Sequence, residues 1–187
     1  MTAFRVLRAA ERKAERWRNG GGVTRPIAVF PSDAGQGDFV WRASIATIDA
    51  AGPFSFFPGI DRWFGVVEGR LCLTIEGQQH KIGADDAMMT FPGEAAVTAK
   101  PLDGPTSDFN LMVRRGAAIA SVDRGSGAWD IRSEAVLVLA MAAMNVSVGG
   151  KSIALQAFDA LLCEGAQGYQ LAIPATAIIA KISPIAA

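Results

Sequence analysis

A single histidine and two cysteines in 187 residues leave little from which to build a metal centre. Zinc and the transition metals are held by imidazoles, thiolates and carboxylates that converge on one point. His80 has no second imidazole to work with, and Cys72 and Cys163 stand alone without ligand-type spacing. Both cysteines read as small buried hydrophobes, and no cofactor is implied. The scarcity of histidine also argues against a serine or cysteine nucleophile, because such mechanisms need a positioned imidazole. Charge of either sign is not in excess: 18 Lys and Arg balance 18 Asp and Glu. The cationic face of a duplex or membrane binder is therefore missing, and neither nucleic acid nor membrane is an expected partner. Long hydrophobic runs are missing too. Ala135 to Val146 is too short to span a bilayer, and the tail from Leu171 is broken by Pro174 and Lys181, so both read as buried strands. The opening residues Met1 to Arg8 carry charges where a secretion signal has an apolar core, which makes a cytoplasmic location the expectation.

What the chain does have is apolar material. Half its residues are hydrophobic and 19% are charged, enough for the core of one large or two small domains. A short helical pattern, Ala9 to Trp17, is rich in Ala, Glu, Lys and Arg and stops at Asn19-Gly20-Gly21-Gly22. Beyond it strands dominate. Val23 to Phe30 alternates, with Pro26 arguing for an edge position. Phe39 to Ile48, Arg62 to Val67, Leu71 to Ile75, His80 to Ile82, Ala87 to Phe91, Ala95 to Ala99 and Asp108 to Arg115 come next, separated by glycine-bearing turns. Strands so short and so regularly punctuated predict an all-β chain built as an antiparallel barrel or jelly roll. After Gly116 the pattern repeats in a plainer form, with few polar residues at strand centres, as in a weak internal duplication. The expected division is 1–116, carrying a ligand pocket, and 117–187, a degenerate second half that packs without a site of its own. An apolar sheet in that half would suit a homodimer.

Side chains two apart on a strand share a face. Arg42, Ser44 and Ala46 therefore group together, as do Asp108, Asn110, Met112 and Arg114. A polar strand face is most often the solvated side of a sheet. Here the opposite faces are so apolar that the polar ones are expected to line a barrel mouth instead. Thr24 and Arg25 either close over that mouth or begin an edge strand. The glycine run before them is either an anion cradle of backbone amides or a flexible turn. Pro53 to Arg62, running into Val66-Val67-Glu68-Gly69, reads as the first half of a cupin core. In metal cupins two histidines, a glutamate and a later glycine keep a fixed spacing. Counting back from Gly69 puts Arg62 on the glutamate position and Ser55, Phe56, Phe57 and Pro58 on the histidine positions. Aromatics and a guanidinium cannot hold a divalent cation but suit an anion. The candidate ligand-binding set is thus Thr24, Arg42, Ser44, Phe54, Ser55 and Phe57, with Asp61, Arg62, Asn110, Met112 and Arg114. Their cations, amides and rings fit a small anionic, carboxylate-bearing metabolite. The rival expectation is a metal-independent isomerase, epimerase or hydrolase acting on a small carboxylate, with Asp61 or Asp108 as base and Arg62 stabilising an oxyanion.

Taken together, Trp17-Arg18-Asn19-Gly20-Gly21-Gly22-Val23-Thr24-Arg25, Trp41-Arg42-Ala43-Ser44, the stretch from Pro53 to Arg62, and Asp108 to Arg115 resemble the HutD/Ves family. The resemblance is strong over residues 4 to 116 and rests on length and strand pattern beyond. It implies a bicupin: two antiparallel jelly-roll-like β-barrels packed together. It also implies an association with histidine utilisation and a ligand such as formylglutamate whose binding moderates that pathway. Pro26 stands where the family commonly has an acidic residue.

Overall fold

A computed structural model describes residues 3–17, 20–35, 37–165 and 168–185. Its elements in order are β1 (Ala3–Leu7), one 3-10 turn (Ala9–Glu11), β2 (Glu15–Arg16), β3 (Gly22–Phe30), β4 (Trp41–Ile48), β5 (Gly52–Pro53) and β6 (Ile60–Glu68). Then come β7 (Arg70–Ile75), β8 (Gln78–Gly83), β9 (Met89–Pro92), β10 (Val97–Pro101) and β11 (Thr106–Arg114). The chain closes with β12 (Ala118–Asp130), β13 (Ala135–Ala140), β14 (Met144–Val148), β15 (Lys151–Leu155), β16 (Ala160–Glu164) and β17 (Gln170–Pro184). The fold is all-β, and its strands gather into two units: Lys13–Ala117, and Met1–Arg12 together with Ala118–Ala187.

In the first unit a six-stranded antiparallel sheet, β2-β3-β4-β11-β6-β9, faces a four-stranded one, β5-β10-β7-β8. Alternation dictates this. Phe64 and Val66 on β6 and Ile48 on β4 turn to one side of the large sheet, and Leu71, Leu73, Ile82, Val97 and Ala99 of the small sheet close over them in one apolar cluster. Each Val, Leu, Ile or Phe side chain among them contributes about 1.5–3 kcal/mol by leaving water. Pro26 sits where the sequence suggests. β2 pairs only Val23 and Thr24, so the missing Pro26 amide hydrogen falls past the end of that ladder, and a bulge comes between Pro26 and Ala28.

The second unit is one seven-stranded sheet that curls around its own apolar core as a nearly closed barrel. The 15-residue β17 pairs with β12, β13 and β14 in turn. All six residues of β13 are buried, which explains why Ala135 to Ala140 reads as an unbroken apolar run. β1 belongs here, paired with β16 from Ala3↔Glu164 to Leu7↔Ala160. The buried Asp159 carboxylate fastens the chain just beyond β1, accepting hydrogen bonds from the Ala9 amide at 2.8 Å and from Arg8 Nη1 at 2.6 Å.

One stretch differs from expectation. The helix anticipated over Ala9 to Trp17 is a single 3-10 turn with the two-residue strand β2 after it. A helix this short has no stability of its own. The 3-10 turn has no side-chain cap, and Arg12 Nη2 instead donates to the Leu7 and Phe158 carbonyls. Past Gly116 the chain enters β12, held by its long ladder to β17, and the two units divide between Ala117 and Ala118. No helix among the described residues is long and apolar enough to cross a membrane.

Candidate anion site

The register of the six-stranded sheet sets the site. Across β4, β11 and β6, Ala46, Asp108 and Val66 form one row, Ser44, Asn110 and Phe64 the next, and Arg42, Met112 and Arg62 the third. Residues paired across strands share a face, so all nine point the same way. That face is not solvated. Ser44, Arg62, Asp108 and Asn110 are all buried, as are their apolar neighbours in the same rows. A cavity of about 590 Å³ opens onto it.

Nine of the eleven residues singled out from the sequence line this cavity: Thr24, Arg42, Ser44, Phe54, Ser55, Phe57, Arg62, Asn110 and Met112. Asp61 and Arg114 do not. Asp61 is one residue from Arg62 on β6, so alternation turns it to the other face, where its Oδ1 accepts from Arg115 Nη2 at 2.7 Å. Arg114 shares a face with Met112 but stands at the end of β11, and its guanidinium folds onto the carbonyls of Phe39 and Gly37. Glu15, Arg16, Trp17 and Phe56 line the cavity and are absent from the candidate set. The first three were concealed by helix-forming composition. Phe56 stands in a histidine position of the metal pattern, and its ring is largely exposed. Of the glycine-run motif, Arg18 and Asn19 lie outside the described residues. Thr24 lines the cavity and accepts from Trp17 Nε1 at 2.7 Å, whereas Arg25 donates to Thr47 Oγ1 at 3.0 Å.

Arg62 is the electrostatic centre. Only 7% of it is exposed, and its Nε and Nη2 donate to Asn110 Oδ1 at 3.3 and 3.2 Å. The Phe54 and Phe91 rings lie 4.7 and 5.3 Å from its Cζ. Among the described residues, no carboxylate reaches it within ion-pair distance. Burial therefore lowers its pKa to about 10, which still leaves it charged at neutral pH. Asp108 is the second unusual group. It is fully buried, its Oδ2 accepts from Thr106 Oγ1 at 2.8 Å, and its Oδ1 has no partner. Burial pushes its pKa up to about 7. At neutral pH this acid is therefore about half protonated, so it offsets only part of the Arg62 charge. At the outer edge Arg42 Nη2 meets Glu15 Oε2 at 3.2 Å. Among the described residues no three His, Cys, Asp or Glu side chains gather where they would hold an ion.

The β2–β3 hairpin that carries Glu15 is closed tightly. The Trp17 amide donates to the Gly22 carbonyl at 3.0 Å, and the Gly20 amide to the Trp17 carbonyl at 3.1 Å. A Cβ at Gly22 would collide with the Thr47 carbonyl and press on the Trp17 ring. Gly22→Ala is therefore expected to lower stability by about 1–3 kcal/mol, read from the urea midpoint at unchanged slope.

Fold and site together define a cupin-like all-β protein whose first unit encloses a cationic cavity. The model of the HutD family matches residues 9–180, and the chain belongs to that family. A Pseudomonas putida relative, an uncharacterized 21.2 kDa protein in the hutC 3' region, is 34% identical over 172 residues, covering 88% of this chain and 89% of its own. Protein Ves of Citrobacter koseri is 41% identical over 110 residues, spanning 57% of this chain and 56% of Ves. Among solved structures, HutD from Pseudomonas fluorescens SBW25 superposes with a TM-score of 0.87 at 28% identity, covering 98% of this chain and all of that one.

Proposed function

We propose that this chain is a metal-free bicupin that binds a small carboxylate-bearing metabolite, of the formylglutamate kind, in its first unit and moderates histidine utilisation through that binding. One observation carries the reading: Arg62, charged and buried, faces a cavity with amide and aromatic partners but no counter-ion among the described residues. A carboxylate supplies the missing charge and matches the guanidinium fork, in charge-assisted bonds roughly twice as strong as neutral ones. Asn110 and Ser44 add hydrogen-bonding groups, and Phe54 and Phe57 enclose the ligand's methylenes. The pathway assignment is supported by family membership and by the hutC-region location of the P. putida relative.

Titration calorimetry with formylglutamate, glutarate, urocanate and glutamate tests this. Formate is added because the P. fluorescens HutD structure was obtained in a formate condition. At least one carboxylate is expected to bind with saturable heat. Folded protein that takes up none of them overturns the reading. A metal-independent enzyme is a second reading, favoured by the raised pKa of Asp108, which suits a general acid near neutral pH. Asp61 is engaged with Arg115 outside the cavity, so the enzyme reading rests on Asp108, which is fully buried and does not itself line the cavity. Turnover of a bound carboxylate that Asp108→Asn abolishes without loss of binding would select it.

A further inference from the structure

Arg16, Arg42 and Arg62 all line the cavity; Arg16 is exposed at its rim, and the two deeper guanidinium groups, Arg42 and Arg62, are not equivalent. Arg42 and Arg62 stand on β4 and β6 directly opposite Met112 of β11, two strand spacings or about 10 Å apart at their backbones. Arg62 has only an amide and two rings around it. Arg42 already has an anion. Its side chain is 15% exposed, and Glu15, itself 49% exposed, places Oε2 3.2 Å from Nη2. Glu15 is held there by the main chain: β2 pairs Glu15 with Thr24, and Trp17 ties back to the Thr24 hydroxyl. Its carboxylate thus occupies the outer half of the cavity from a fixed tether, as one end of a second ligand carboxylate would.

We infer that Glu15 is the specificity-determining residue of the cavity: a tethered carboxylate that occupies Arg42 and that the second carboxylate of a dicarboxylate ligand must displace. The inference rests on the anion-binding reading above. A monocarboxylate seated on Arg62 leaves the Glu15–Arg42 pair intact. A dicarboxylate reaches Arg42 only by breaking that pair, and it meets the negative charge of Glu15 while doing so. Glu15 therefore holds the affinity for dicarboxylates down relative to what two guanidinium groups would otherwise give. Glu15 lies at the half-exposed rim, so removing its charge costs the fold little.

The test compares glutarate with propionate by calorimetry in the wild-type chain, Glu15→Gln and Glu15→Ala. Both variants are expected to bind glutarate about three- to tenfold more tightly than wild type, at low salt, with propionate affinity unchanged within twofold. The alanine variant guards against an effect of shape, because charge is what both substitutions remove. Equal gains for the two acids, no gain, or weaker glutarate binding overturn the inference while leaving the anion site standing. Absence of binding by either acid in all three proteins overturns the anion-binding reading, and this inference with it.

Discussion

Arg62→Met is expected to move stability and binding in opposite directions, raising the unfolding free energy by about 1–3 kcal/mol and weakening glutarate binding by about a hundredfold or more. The stability gain comes from the surroundings of the guanidinium. Burial without a counter-ion lowers its pKa to about 10, a shift worth about 3 kcal/mol against the charged form. Methionine keeps the volume, places sulfur between the Phe54 and Phe91 rings, and removes the buried charge. Part of the gain is offset by the lost cation–π contacts, about 2 kcal/mol when desolvated. Asn110 loses its donor, but it lines the cavity, where water can replace it. The loss of binding has the same geometric origin, since among the described residues no other cation in the cavity lacks an anionic partner at comparable depth. Urea unfolding and calorimetry on one preparation read both effects. A variant less stable by several kcal/mol with unchanged affinity would mean that Arg62 is a structural strut.

The second large effect belongs to Asp108. Its folded pKa of about 7 lies above the ordinary carboxylate value because the group is buried, so the folded chain binds a proton that the unfolded chain releases. The stabilising proton uptake is fully present below the unfolded pKa and is lost as pH rises through about 7. Between pH 5 and pH 8 this group alone is expected to lower wild-type stability by about 3 kcal/mol. Asp108→Asn has no proton to lose and keeps polar atoms beside Thr106, so its stability should vary far less over that range. Anion affinity should track the same titration. Ionised Asp108 puts a negative charge on the cavity-facing side of β11, two residues from Asn110, and opposes a bound carboxylate. Wild-type glutarate affinity should therefore fall above pH 7, and the asparagine variant should remove most of that fall. Parallel pH profiles for the two proteins would show that Asp108 does not titrate there.

The strand periodicity made much of this site legible. Arg42 with Ser44, and Asn110 with Met112, could be placed on one face by counting in twos. Arg62 stood out because it replaces a carboxylate in a recognisable spacing. Period two also separates Asp61 from Arg62, so the exclusion of Asp61 was readable in principle. What the sequence hid depended on distant partners. Glu15 and Arg16 have helical composition, and only their pairing with Thr24 and Val23 makes them a strand at the cavity rim. Arg114 obeys the alternation but is drawn away by carbonyls some 75 positions earlier in the chain. β12 carries small and charged residues and is held as a strand by its pairing along β17. The pairing of β1 with β16 sets Ala3 beside Glu164, which no local pattern records.

A crystal structure with glutarate shows whether a ligand carboxylate sits on Arg62. Carboxylate density is expected with oxygens about 2.7–2.9 Å from the Arg62 guanidinium nitrogens and beside Asn110. Glutarate bound elsewhere with this guanidinium untouched, or Arg62 extended into bulk water, would contradict it.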